Sequence, residues 1–201
     1  MTSSDPPEVV ELFDRIAKLA PRAIPFEGTI LRSAGIPYAN EQDLFSGAGA
    51  SAFGARWNRK GIRAVYGSLE IETAVQEAYQ EFLSYGLPLS GIRPRVLAGA
   101  NTKLSAVFDL TSLAIRRNIG FTLQELLEED WKGIQAAGEE SWSQAIGRGC
   151  RAAGLEALLV PSARRRHGKN LVIFPDQLVL GSVLEPIAPH ELPSHPSNPT
   201  A

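Results

Sequence analysis

Apolar residues recur at helical spacing near the start of the chain. Val9, Val10, Leu12, Phe13, Ile16, Leu19 and Ala20 share one face, Asp5-Pro6-Pro7 supplies a start and Pro21 a stop. The pattern predicts a helical appendage over 8–20, whose apolar face either packs on the rest of the domain or docks a partner, with packing on the domain favoured. Gly28-Thr29-Ile30-Leu31-Arg32-Ser33 then reads as a short β-prone run. A buried Arg32 there needs an anionic partner, either a structural carboxylate or a ligand phosphate. Tyr38 to Gly54 is polar and glycine-rich, and reads as a long loop, either a flap over a cleft or plain surface. Gly47, Gly49 and Ala52 fit the dinucleotide fingerprint G-x-G-x-x-A, but Asn40, Glu41, Gln42 and Asp43 precede them where that site needs an apolar strand. A Rossmann site is therefore rejected.

The stretch Gly54–Glu77 carries the candidate chemistry. A glycine-bounded turn with Arg56, Trp57 and Asn58 leads into a short strand, Ala64-Val65-Tyr66, then a turn at Gly67-Ser68 and a helix. Periodicity puts Ile71, Ala74, Val75, Ala78 and Phe82 on the buried face of that helix. Glu70, Glu77 and Glu81 fall together on its flank, about 100–120° from the centre of that face, so spacing alone does not choose among them. An arginine, a ring and a carboxylate on one loop–strand–helix unit suit an anionic ligand with a flat ring. The competing reading is a stacked Arg–Trp surface loop ahead of a routine strand and helix.

Further on, Arg95–Gly99 and Ala106–Leu110 read as two strands joined by an Asn101-Thr102-Lys103 turn. Thr122 with Glu125 forms a capping box ahead of Leu126, Leu127 and Trp131. A helix over Ser141–Ala153 ends at Gly154, followed by a strand at Ala157–Val160, a Pro161-Ser162 turn and a basic loop, Arg164–Lys169. Asn170–Phe174 and Leu178–Leu180 read as strands, and the Pro-, Ser- and His-rich stretch 186–201 as a flexible tail. Strands with inserted helices and no regular βαβ alternation predict a single α+β domain around a mixed, partly antiparallel sheet, with its core over 28–185.

Composition narrows the function classes. With 201 residues, 44% of them apolar, the chain can furnish one real core. A formal net charge of −2 gives no drive toward nucleic acid or an anionic membrane, and the Arg164–Arg166 run reads as a solvated loop. The single cysteine, the absence of a basic leader in MTSSDPPEVV and the lack of a long apolar run predict a cytoplasmic protein. Three histidines and one cysteine offer no zinc spacing, so no metal is expected. Cys150, within a helix among small residues, reads as a buried structural thiol. Ser162 lacks a G-x-S-x-G elbow, which argues against a triad with His167.

Taken together, the ordered segments resemble the RES domain family, named for the arginine, glutamate and serine residues that recur in it. The strand ending in Arg32 is followed by G-A-R-W-N at Gly54–Asn58, V-Y-G-S at Val65–Ser68 and A-V-Q-E ending in Glu77. S-W-S-Q-A-I-G at Ser141–Gly147, V-P-S at Val160–Ser162 and Asn170 at the last core strand complete the set over Ile30 to Leu180. Two features depart from the family pattern: Arg148-Gly149-Cys150, where many members carry an acidic residue and tryptophan, and the unusually basic Arg164–Lys169 loop.

The resemblance implies a fold like that of ADP-ribosyltransferase toxins and consumption of NAD+ by hydrolysis or phosphorolysis. It also implies a toxin role, with a cognate antitoxin protein as partner. Arg32 and Arg56 would hold pyrophosphate or ribose, and Tyr66 would stack near nicotinamide. Glu77 would serve the reacting ribose, with Ser162 hydrogen-bonding nearby and Asn170 at the ligand. Within the glutamate column, the family pattern selects Glu77, eleven residues after Tyr66. The alternatives are ADP-ribosylation of a cellular protein and a catalytically silent module that binds a nucleotide or partner. Homo-oligomerisation is left open.

Overall fold

The computed structural model describes residues 5–84 and 95–196, without the side chains of residues 80–84. Five strands form a ring: β1 (Ile24–Gly35), β2 (Val65–Ser68), β5 (Lys169–Ile173), β4 (Ala157–Pro161) and β3 (Arg95–Asp109), which pairs back with β1. A sixth strand, β6 (Val183–Pro186), lies beside β3. Every pairing is antiparallel except β3 with β4. The result is a mixed, closed sheet in an α+β fold.

Both faces of β4 and β5 are covered, and alternate residues serve different cores, as the two-residue period of a strand requires. Ala157, Leu159, Leu171 and Ile173 join Ile30, Val65, Ala98, Leu104 and Val107 in a cluster drawn from all five ring strands. Leu158, Val160 and Val172 point the other way, into a cluster with helices α1 (Pro7–Leu19), α4 (Leu113–Ile119), α5 (Leu123–Glu128) and α7 (Trp142–Ala152). Val9, Leu12 and Ile16 carry α1 into that cluster. Beyond it, the Arg148 guanidinium binds both the Asp5 and Glu140 carboxylates and lies 4.7 Å from the Phe13 ring centre. The arginine at this departure from the family pattern thus anchors the first helix. Cys150 is fully buried, and burial pushes its thiol pKa up.

Several elements differ from the reading of the pattern. β1 is twelve residues long, and β3 runs unbroken through Asn101-Thr102-Lys103. Those three residues pair with Thr29, Gly28 and Glu27 on one side and with β6 on the other. Asn101 and Lys103 face solvent and Thr102 is buried, so polar letters that resemble a turn are the outward positions of a strand. The loop before Gly54 contains a short helix, α2 (Ala48–Phe53). Trp131 opens its own helix, α6 (Trp131–Ala136), instead of extending α5. Leu178–Leu180 is not a strand. Buried Glu156 accepts hydrogen bonds from Ser105 N, Ala106 N, Val179 N and Ser182 Oγ, tying down this segment, and Leu180 is exposed. After Pro186, Ile187 N bonds Gly99 O and Leu192 packs on the cluster drawn from the ring strands, while residues 197–201 lie outside the described residues. No helix among the described residues is long and apolar enough to cross a membrane.

Candidate active site

The turn carrying Arg56 is braced from several sides. Ala55 and Asn58 exchange backbone hydrogen bonds, and the buried Asn58 side chain donates to Ala50 O and Ile62 O, each at 2.9 Å. Its Oδ1 accepts from the Tyr66 hydroxyl at 2.8 Å, and that hydroxyl in turn accepts from Trp57 N at 3.0 Å. Gln144 of α7 donates to Ala55 O. The S-W-S-Q run therefore acts on the Arg56 turn, with Ser141 and Gln144 also forming the capping box of α7.

Arg56 itself leans on the end of α5, donating from one guanidinium nitrogen to Leu126 O at 2.8 Å and Glu129 O at 3.3 Å. Burial lowers its pKa, and the nearby Glu129 charge partly offsets that. The Glu129 carboxylate caps α7, accepting from Trp142 N and Ser143 N. Arg56 is thus positioned by backbone carbonyls and forms no ion pair among the described residues.

Glu77 projects from α3 (Ile71–Ser84) toward β5 and the turn after β4. Its Oε1 accepts from Ser162 Oγ at 2.6 Å and from Asn170 Nδ2 at 2.8 Å. Ser162 Oγ accepts from the backbone N–H groups of Arg164 and Arg165, both at 3.1 Å, which directs its own proton to Glu77. Both carboxylate bonds land on one oxygen, and Oε2 has no partner among the described residues. The helix face differs from expectation. Ile71 is 59% exposed and Val75 40%, whereas Thr73 and Ala74 are buried, so Glu77 belongs to the side turned toward the sheet. The close approach of Thr73 to Gly168 contributes, since a Cβ at Gly168 would lie 2.7 Å from Thr73 Oγ1. The side chains of Glu81 and Phe82 lie outside the described residues.

Two clefts meet at this carboxylate. The larger, about 440 Å³, is lined by Arg56, Trp57, Tyr66, Glu77, Trp131 and Asn170, with Lys132 and Arg164 adding positive charge. The smaller, about 140 Å³, holds Arg32, Ser33 and Ser68 and shares Tyr66, Glu77 and Asn170 with the first. Arg32 donates to Tyr66 O at 2.9 Å, while its buried Nε has no partner among the described residues and burial lowers its pKa. The anionic partner that a buried arginine calls for is not a carboxylate among the described residues.

Arg56, Tyr66, Glu77 and Asn170 therefore gather around one cleft, with Ser162 bonded to Glu77 and Arg32 behind in the smaller space. The Tyr66 hydroxyl is committed to the Arg56 turn. Sequence reasoning does not single out Trp131, Lys132 or Ser68 for the site. Trp131 reads as one more apolar helix residue, and nothing local marks a serine that bonds across two strands.

The family model of the RES domain matches residues 29–193. The chain belongs to the RES domain family. Among curated relatives, it is 31% identical over 112 residues to the NAD(+) phosphorylase MbcT of Mycobacterium bovis, and equally to that of Mycobacterium tuberculosis. The match covers 50% of this chain and 56% of each relative, so it spans little more than half of their length. This RES domain also superposes on a chain in the crystal structure of the M. tuberculosis MbcT–MbcA toxin–antitoxin complex. The TM-score is 0.67 with 23% identity, covering 90% of this chain and 93% of that one, a likeness of fold.

Proposed function

We propose that this RES domain is an NAD+-consuming toxin that cleaves the bond between nicotinamide and ribose. The observation that carries the reading is Glu77, held by Ser162 and Asn170 through one oxygen where the two clefts meet. When the glycosidic bond breaks, its electron pair leaves with nicotinamide, which departs neutral and needs no acid. The ribose left behind is oxocarbenium-like, and an ionised carboxylate beside it stabilises the charge. An oxygen of water or phosphate then bonds to the anomeric carbon. With water, Glu77 orients the nucleophile and takes its proton.

The remaining residues bind and orient. Arg56, fixed on the end of α5, is available to the pyrophosphate in the larger cleft, with the Tyr66 and Trp131 rings beside it. Arg32, whose Nε has no partner among the described residues, serves the anionic or ribosyl part nearest the smaller cleft. Likeness to ADP-ribosyltransferases in fold belongs to the same proposal, and the closed sheet with a carboxylate at its cleft is consistent with it.

The name of the mycobacterial relatives supports NAD+ as substrate and phosphate as one acceptor. The structurally similar chain comes from a toxin–antitoxin complex, which supports control by an antitoxin protein. The test is to incubate the purified protein with NAD+, with and without phosphate, and to identify the products. Nicotinamide release is expected. A phosphorylated ADP-ribose product identifies phosphorolysis, free ADP-ribose identifies hydrolysis, and ADP-ribose attached to added cellular protein identifies transfer. Intact NAD+ with folded protein contradicts the proposal and leaves a binding module.

A further inference from the structure

Ser68 lies at the end of β2, directly opposite Asn170 in the register of β2 and β5. It is buried, and its Oγ donates to Asn170 Oδ1 at 2.7 Å. The chemistry of the amide makes this contact consequential. A carboxylate only accepts hydrogen bonds, so Asn170 must present its NH2 end to Glu77. That leaves Oδ1 pointing the other way, where it needs a donor. Ser68 Oγ–H is that donor.

We propose that Ser68 is a positioning residue, which fixes the Asn170 amide so that Glu77 is gripped through Oε1 and Oε2 remains the working oxygen. The inference rests on the role of Glu77 proposed above. Ser162 and Asn170 approach Oε1 from the turn after β4 and from β5, so the carboxylate plane is set by two independent elements. Removing the Ser68 hydroxyl leaves Oδ1 without its donor and frees the amide to rotate. The carboxylate then keeps only the Ser162 bond at full strength and swings about it, so Oε2 no longer meets the reacting ribose in one geometry. The Ser68 hydroxyl bonds Asn170 and not Glu77, so its hold on the carboxylate passes through the Asn170 amide.

A double-mutant cycle on the full chain tests this, with nicotinamide release from NAD+ as readout. Ser68→Ala is expected to lower kcat about tenfold while KM stays within about twofold. Ser68→Thr, which keeps the hydroxyl, should restore most of kcat. In an Asn170→Ala background, Ser68→Ala should have almost no further effect, because the group it orients is gone. Equal fold losses in both backgrounds, or a Ser68→Ala variant with unchanged kcat, overturns the proposal. Should Ser68→Ala fail to fold, Ser68→Cys takes its place in the same cycle, since a thiol fills the space but donates weakly. An inactive wild-type protein contradicts the NAD+-consuming reading itself. An active wild type with an additive cycle contradicts only the role of Ser68.

Discussion

Gly147 of α7 and Trp57 are in backbone contact: a Cβ built on Gly147 would lie 1.9 Å from Trp57 O. The helix that the S-W-S-Q run opens is therefore pressed against the turn presenting Arg56, and only glycine permits the approach. Gly147→Ala should displace that turn, because a carbonyl cannot move aside as a flexible side chain can. The expected cost is about 1–3 kcal/mol of stability, read by denaturant unfolding, together with weaker NAD+ binding. An alanine variant with wild-type stability and KM would mean that the turn is not fixed by this contact.

Tyr66→Phe separates two roles for one side chain. The ring remains to line the cleft, but Trp57 N and Asn58 Oδ1 lose their partner. Leaving such buried groups unsatisfied costs about 1–3 kcal/mol. A lowered melting temperature with raised KM is expected. Full stability with reduced activity would instead place the hydroxyl's importance at the substrate.

Part of this architecture is legible in the sequence. The α5 capping box, the α7 helix ending at Gly154 and the strands at Ala157 and Asn170 follow from local letters, and the structure has them. The pattern failed where neighbours distant in sequence decide. Asn101-Thr102-Lys103 is a strand because β1 and β6 flank it, and Leu178–Leu180 is held by buried Glu156. Helical periodicity buried Ile71 and Val75 and left Glu77 on the flank, because the sum of apolar letters outweighs one carboxylate. Ala74 is buried as the period requires, but Thr73 takes the place of Ile71 and Val75 beside it, which brings Glu77 to Ser162 and Asn170. The order of the family motifs pointed to Glu77, whereas periodicity alone could not.

Arg148 links α1 to α7, and its effect on stability should depend on pH. The guanidinium holds the Asp5 carboxyl below its ordinary pKa. A carboxylate depressed in the folded state contributes above its unfolded value, near pH 4, and that contribution is lost as pH falls through the folded value. Arg148→Met should therefore melt below wild type at pH 7, and the difference should narrow as pH drops below about 4. A gap that stays constant through the acid range would assign the effect to packing on Phe13 instead.

Arg56→Lys keeps a positive charge but not the planar fork that spans Leu126 O, Glu129 O and the cleft together. Loss of charge-assisted bonds of about 1.5–3 kcal/mol predicts a KM for NAD+ raised about tenfold or more, with a smaller change in kcat. Steady-state kinetics checks this. A kcat loss at unchanged KM would move Arg56 from binding to the chemical step.

The most direct measurement is nicotinamide release by Glu77→Gln. Because Ser162 and Asn170 both donate to Oε1, a glutamine can keep both bonds through its single carbonyl oxygen. What disappears is the charge, with an NH2 group in place of Oε2. Folding and NAD+ binding should change little, and turnover should fall about a hundredfold or more. The exposed neighbour Glu72, changed to Gln in parallel, should leave turnover intact. Wild-type turnover in a folded Glu77→Gln protein, or equal losses in both variants, would contradict the account.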